Sequence, residues 1–501
     1  MNGFYHVVRL LFKICSHIFY ATLEVRNVHN LPEKGQATLL CFNHGNSLGD
    51  AIVLMATCPH VIRFCAKCTL WDIPFVGTLI RMSAAVPVYR RQEHGENAMG
   101  FNKDMFAKVY SSLGNGDWIG FSPEGMCNFQ PHPEKFKDGV GHIALETVDR
   151  AVKNGNSDFK INIAPTVLLW THRERFRSDA LVRFLPKIQI GKEWLEIPDR
   201  KLAAKQIVQL LETTFHDNIL NATSWDVIRR AITAARIHRP MGTAMSLSTY
   251  MYLLKGWTTI LEVGSHDALN KALEDYQSLL DAAKLKDQRI LRMENDSTKR
   301  PSVFRCVNII IYRVFLSCCM LVVITPGLLL WIPMWYFLRK KEKELLIKGI
   351  GWVDSIAETK MMFSFLFVVF LLVALNVYAI PLLIYLWIVL RLYEEFMSST
   401  RSTIGVYRLL LIDQQQLNVL VRERSRVRDL VIQATKDFPR TIATSILDES
   451  HDNIYSDKTS ILAVVPRWWT NFNPLRRRKK DWNELLWFRD MCTMDYQKND
   501  W

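Results

Sequence analysis

The chain has 501 residues, of which 49% are hydrophobic, and a formal net charge of +14; there is room for more than one folded unit. Its ten cysteines lack the spacing of a secreted disulfide framework, which leaves a reducing compartment or burial in lipid. No internal repeat or low-complexity tract is evident, and the basic excess suits an anionic membrane surface or negatively charged substrates. The opening, residues 4–20, mixes His, Arg and Lys into an apolar stretch. It lacks the uninterrupted apolar run and cleavage site of a signal peptide. Residues 1–24 therefore read as a membrane-interfacial amphipathic helix, with a core-packed first helix as the plainer alternative.

Residues 25–200 read as an α/β domain. Four apolar, strand-like runs end in chemically loaded turns: T-L-L-C-F before His44, A-A-V-P-V-Y before Arg90, D-W-I-G-F before Ser122-Pro123-Glu124-Gly125, and I-N-I-A-P-T-V-L-L-W around Pro165. Helical segments, such as 98–113 and 140–152, lie between them. Strands alternating with helices predict a mixed, largely parallel sheet flanked by helices. In such sheets the ligand crevice lies outside the strand carboxyl ends, so the four turns are expected to share one cleft. The stretch N-H-G-N-S-L-G-D, residues 43–50, is the most informative. A histidine at a strand-to-helix junction can abstract a proton, and Asp50 on the first helical turn can reach back to orient its imidazole.

The four blocks together resemble the glycerolipid acyltransferase superfamily, over roughly residues 25–190. The His44/Asp50 pair matches the first family block, Arg90 the arginine that ends the second, and F-S-P-E-G (121–125) the third, followed by F-K-D-G (136–139). The proline-bearing strand around Pro165 matches the fourth. E-V-R-N-V-H-N-L-P (24–32) and R-F-R-S-D-A-L-V-R-F (175–184) are similar to the fungal glycerol-3-phosphate/dihydroxyacetone-phosphate acyltransferases in particular. Two departures stand out. Five residues separate His44 from Asp50 where the commonest form of the family has four, and Ser122 interrupts the usual F-P-E-G.

The resemblance implies acyl transfer from acyl-CoA, a co-substrate, to sn-glycerol 3-phosphate or dihydroxyacetone phosphate at position 1. His44 and Asp50 would be catalytic, the one a general base and the other its orienting acid. Arg90, Glu124, Gly125 and Lys137 would bind substrate. Arg90 offers a planar fork of donors to a phosphate, Gly125 permits close backbone approach, and Glu124 suits an acceptor hydroxyl. The thioester supplies the activated bond, so neither a cofactor nor a metal is expected. Two other readings stay open: acylation of a lysophospholipid such as lysophosphatidic acid, and a non-catalytic lipid-binding protein on a decayed acyltransferase fold. A serine hydrolase is disfavoured, because the residue after Ser122 is Pro123 and has no N–H for an oxyanion hole. Cys65 and Cys68 form a C-x-x-C without a second pair and read as core thiols.

Residues 201–303 read as a helical segment, with an apolar patch at 241–261 expected to lie on a membrane or over the cleft. Residues 304–395 read as a transmembrane region with two spans: 314–338 is apolar and free of charge, and 361–390 is a second run interrupted by Asn376 and Pro381. Two spans leave both ends on one side, and cytosolic acyl-CoA makes that the cytosolic face of the endoplasmic reticulum. Residues 396–501 read as a charged helical tail. Its tryptophans interleaved with Arg and Lys at 466–482 suit an anionic bilayer better than nucleic acid.

Overall fold

The computed structural model describes residues 2–451 except 73–75, 84, 90–94, 96–97, 128–129, 174, 239–245, 264–265, 288, 292–301, 348–353 and 376–378. Arg90 and the basic aromatic stretch 466–482 lie outside the described residues. The chain divides into two compact units, Met1–Ile219 with Lys341–Phe365, and Leu220–Lys340 with the residues from Leu366 on.

The first unit is built on strands β1 (Thr22–Arg26), β2 (Thr38–Phe42), β3 (Ile62–Lys67), β4 (Val86–Val88), β5 (Trp118–Phe121), β6 (Ile161–Trp170), β7 (Asp179–Phe184) and β8 (Ile188–Ile190). Their order is β1-β7-β6-β2-β5-β3-β4, with β8 added on β6. Every pairing is parallel except those of β6 with β7 and with β8. The mixed, largely parallel sheet predicted from the alternation is thus present. β2 is central and buried along its whole length, which explains its uninterrupted apolar run. Next to it, β5 lies so close to its neighbours that a Cβ at Gly120 would sit 2.6 Å from the Phe64 ring, so only glycine fits.

Helices α1 (Asn2–Phe19) and α2 (Leu48–Thr57) cover one face of the sheet. Their Tyr5, Val8, Val53, Leu54 and Met55 share a core with Leu40, Phe42, Phe64, Leu168, Val182 and Phe184. Side chains alternate along strands, so the buried Leu39, Ile119, Ile163 and Val167 serve the opposite layer. After α3 (Val76–Met82) and α4 (Ala98–Gly114), that layer is filled by α5 (Gly139–Lys153) and α6 (Arg200–His216). Ala203, Ala204, Ile207, Leu211 and Phe215 of α6 are buried, which carries this unit past the expected limit at residue 200.

Helix α1 has two unlike faces. One face is buried in the core, while Phe4, Val7, Leu10, Ile14 and Ile18 are 41–57% exposed along the other. Its carboxyl end is capped from far along the chain. Arg177, at φ 64°, donates Nη1 to the carbonyls of His17, Ile18 and Tyr20, which are among the acceptors a helix end leaves unpaired.

The second unit is helical: α7 (Trp225–His238), α8 (Leu247–Glu262), α9 (Asp267–Ala283), α10 (Val303–Ile347, shared with the first unit at its end), α11 (Asp354–Leu375, likewise shared), α12 (Ala379–Leu411), α13 (Gln414–Ala434) and α14 (Arg440–His451). The described part of the 241–261 patch is not on a surface. Tyr250, Leu253, Leu254, Trp257, Ile260 and Leu261 of α8 are buried in the bundle, because α8 is enclosed by α7, α9 and α14 and has little outer face left.

Among the described residues one helix is long and apolar enough to cross a membrane, over Cys306–Ile347, and only 11% of its most apolar window is buried. A core helix of a soluble bundle would be mostly covered. The expected second span at 361–390 is distributed over α11 and α12, with 376–378 outside the described residues. Within α10, the Tyr385 hydroxyl accepts from Gly327 N–H and donates to Val323 C=O, both at 3.0 Å. It therefore bridges an i, i+4 bond beside Pro326, where the proline ring disturbs the ladder.

Candidate active site

The site begins where β2 ends. Asn43 uses both ends of its amide on β6: Nδ2 donates to Leu168 C=O at 2.8 Å and Oδ1 accepts from Leu168 N–H at 2.7 Å. This clamps the strand end and sends the next residue, His44, out over the sheet edge. The chain turns through Gly45, Asn46 and Ser47 into α2. Ser47 sits at φ 47° and ψ −128°, a conformation that L residues rarely adopt and that is stored where surrounding structure enforces it. On the first turn of α2, Asp50 is fully buried, and its Oδ2 meets His44 Nδ1 at 2.8 Å and accepts from Asn46 N–H at 2.9 Å. The five-residue spacer therefore brings His44 and Asp50 together.

The turn after β5 comes to the same place, because β2 and β5 are parallel neighbours. Glu124 is 3% exposed and its Oε1 accepts from His44 N–H at 2.9 Å. Burial pushes the Glu124 carboxyl up to about 7, against the opposing pull of backbone N–H bonds from His44 and Glu134. Gly125, at φ +74°, lies under the Lys137 side chain, where a Cβ would come within 2.6 Å of Nζ. Lys137 N–H is bonded to Pro123 C=O at 2.9 Å, so F-K-D-G folds back on S-P-E-G. The strand that precedes Arg90, β4, runs parallel to β3 and so ends at the same edge, although Arg90 itself lies outside the described residues.

Several side chains here carried no sequence signal. Tyr20, buried at the end of α1, accepts from Asn46 Nδ2 at 3.1 Å. Arg173, just beyond β6, donates Nη1 to Gly45 C=O inside the turn. Trp170 lies 3.6 Å from where a Cβ on Gly45 would be, and stacks at a tilt on Tyr20. The sequence distance of these residues from His44 hides them, and the parallel β2/β6 register brings them in. Of the other histidines, His172 is buried while His132 and His142 are surface residues; His94 lies outside the described residues. Cys41 is wholly buried, its thiol pushed well above the usual range by desolvation, which makes it a poor nucleophile.

A family model described as Acyltransferase matches residues 22–169, the segment that runs from the start of β1 to one residue short of the end of β6 and includes the His44 and Glu124 turns. Residues 22–169 are an acyltransferase domain of the glycerolipid acyltransferase superfamily. Glycerol-3-phosphate O-acyltransferase 2 of Saccharomyces cerevisiae is 25% identical over 260 residues, which cover 50% of this chain and 34% of the yeast protein. Glycerol-3-phosphate O-acyltransferase 1 of the same yeast is 20% identical over 251 residues, 48% of this chain and 31% of that protein. The chain thus spans about a third of the length of the curated relatives it matches. Among solved structures, the 1-acyl-sn-glycerophosphate acyltransferase PlsC of Thermotoga maritima is 18% identical, covering 42% of this chain and 78% of PlsC with a TM-score of 0.30. Within the acyltransferase domain, the geometry unites His44, Asp50 and Glu124 in one hydrogen-bonded group and sets Gly125 and Lys137 on the turn beside it.

Proposed function

We propose that this chain is an acyl-CoA-dependent O-acyltransferase that acylates sn-glycerol 3-phosphate, dihydroxyacetone phosphate or both at position 1. The observation that carries the reading is the 2.8 Å contact of His44 Nδ1 with the buried Asp50 carboxylate inside an acyltransferase domain. With Nδ1 donating to Asp50, Nε2 holds the lone pair. In the proposed step the acceptor hydroxyl attacks the thioester carbonyl as its proton passes to Nε2. The tetrahedral intermediate collapses, the C–S bond breaks, and the imidazolium returns the proton to the departing thiolate. Asp50 holds the tautomer and stabilises the imidazolium. The thioester is itself the activated bond, so the proposal includes no cofactor and no metal.

Arg90, Gly125 and Lys137 form the acceptor side of the proposed site, the cations for the phosphate and the glycine for close main-chain approach. Glu124, expected to meet the acceptor hydroxyl, braces the His44 backbone in this reading and closes the site from below. The two yeast relatives are named for glycerol 3-phosphate, which supports a small phosphate acceptor over lysophosphatidic acid. The exposed apolar stripe of α1 and the uncovered α10 support a bilayer location. The full proposal is a two-span protein of the endoplasmic reticulum with its acyltransferase domain in the cytosol.

The test is acyl transfer by membranes carrying the full chain or its His44→Ala variant. Labelled acyl-CoA is offered with glycerol 3-phosphate, dihydroxyacetone phosphate or lysophosphatidic acid. Product from a small phosphate acceptor, reduced about a thousandfold in the variant, is expected. Product from lysophosphatidic acid alone moves the enzyme one step along, activity retained by the variant removes His44 as the base, and no product at all leaves a non-catalytic lipid-binding protein.

A further inference from the structure

Helix α2 starts immediately after the His44 turn and carries Asp50 on its first turn, so whatever fixes its first N–H groups also fixes the pair. A helix start leaves four such donors without intrahelical partners, and a serine at the preceding position normally accepts one of them. Ser47 occupies that position and makes no side-chain cap, because its backbone at φ 47° turns it away. Asp50 is not the substitute either, since its Oδ2 is engaged by His44 and Asn46 N–H. Turn bonds take up Gly49 N–H on Asn46 C=O at 2.8 Å and Asp50 N–H on Ser47 C=O at 3.3 Å. Leu48 N–H, on the first residue of the helix, is bonded to Glu358 Oε2 at 3.3 Å, from 310 residues away.

Packing explains why Glu358 is there. Its neighbours on α11, Ile356, Ala357 and Met361, are buried, and Ala357 and Met361 belong to the same core cluster as Val53, Leu54 and Met55 of α2. Lys360, one half-turn on, is paired with Glu342 at 2.9 Å, which ties this stretch to the end of α10 within the same unit. The carboxylate also lies at the positive end of the α2 dipole. Glu342, Ile356, Ala357, Glu358, Lys360 and Met361 are all outside residues 22–169, the segment the family model matches.

We propose that Glu358 is a positioning residue of the acyl-transfer site: from far along the same chain it supplies an acceptor to the α2 start, where Ser47 supplies none, so that the chain following the long apolar helix completes the turn bearing His44 and Asp50. The inference rests on the acyltransfer function proposed above. Its physical content is the acceptor oxygen, which glutamine keeps and aspartate, one methylene shorter, withdraws.

The experiment uses the full chain in membranes, comparing wild type, His44→Ala, Glu358→Ala, Glu358→Gln and Glu358→Asp at matched protein levels. The Ala variant is expected to lose about tenfold in kcat, with KM for acyl-CoA and for glycerol 3-phosphate each within about twofold of wild type. The Gln variant is expected within about threefold of wild type, and the Asp variant below it. If the Ala variant does not accumulate, the order of Gln and Asp decides. Wild-type kcat in Glu358→Ala, a raised KM at unchanged kcat, or Asp outperforming Gln would each overturn the inference. Loss of activity with His44→Ala while Glu358→Ala stays active sinks this inference alone, whereas an inactive wild type sinks the proposed function.

Discussion

Asp50 in the acyltransferase domain and Asp287 in the helical unit are both buried carboxylates, and their surroundings differ in kind. Asp287 accepts from Arg424 Nε at 2.8 Å and Nη2 at 3.3 Å, and from the Tyr276 hydroxyl at 2.7 Å. Arg424 is itself 1% exposed. Such a network is closed: a permanent cation neutralises the acid and no partner titrates near neutral pH. Asp50 faces a neutral-or-cationic imidazole rather than a permanent cation, and the His44 side chain keeps 21% of its surface open. A closed pair specifies packing, while the open pair is the one to which the proposed function gives a proton transfer. Burial alone does not tell them apart; the identity and accessibility of the partner do.

The sharpest way to break this contrast is to neutralise each acid in turn. Asp50→Asn is expected to lower kcat by about a hundredfold or more while the thermal unfolding of the protein barely shifts. In a His44→Ala background the same substitution should have almost no further effect, since the two act as a unit; kinetics on the single and double variants decide this. Asp287→Ala should do the reverse. It strands the buried Arg424 guanidinium and costs about 3–5 kcal/mol of stability, read as a lowered unfolding midpoint in denaturant.

Glu124 sharpens the comparison from a third side, as a buried acid whose protonation is set mainly by desolvation. Its carboxyl is raised from 4.5 to about 7 in the folded chain. The folded state thus binds this proton more tightly than the unfolded state. Its contribution is fully present below pH 4.5 and is lost as pH rises through about 7, a span worth about 3 kcal/mol. Glu124→Gln keeps an acceptor for His44 N–H but cannot ionise, so its melting temperature should fall less than that of wild type between pH 5 and pH 8. The smallest expected effect is Tyr20→Phe. It removes the acceptor of Asn46 Nδ2 and should cost about 1 kcal/mol, seen as a two- to fivefold drop in kcat.

Local chemistry carried much of this into the sequence. T-L-L-C-F is apolar after its first residue because β2 is covered on both faces, and D-W-I-G-F needs its glycine where β5 meets Phe64. Strand β3 was the harder case. I-R-F-C-A-K ends in no loaded turn and so offers nothing to mark it, yet it separates β5 from β4 in the sheet. The patch at 241–261 misled for a related reason: apolar periodicity says that a face is buried but not by what, and α8 buries its face in its own bundle rather than in lipid or over a cleft.

What the sequence by itself determined is what short-range geometry controls. His44 and Asp50 are six residues apart on a strand-turn-helix junction, and Gly125 takes a positive φ in a turn that its neighbours dictate. Covalent reach confines such relations to a few geometries before any tertiary packing. Only the folded structure decided which distant groups brace that junction. Glu124 reaches His44 N–H across 80 residues, Tyr20 reaches Asn46 across 26, Arg173 reaches Gly45 across 128 and Glu358 reaches Leu48 across 310. Each of these contacts depends on strand order and on which apolar faces meet in the core, and neither is encoded in the residues that flank the contact.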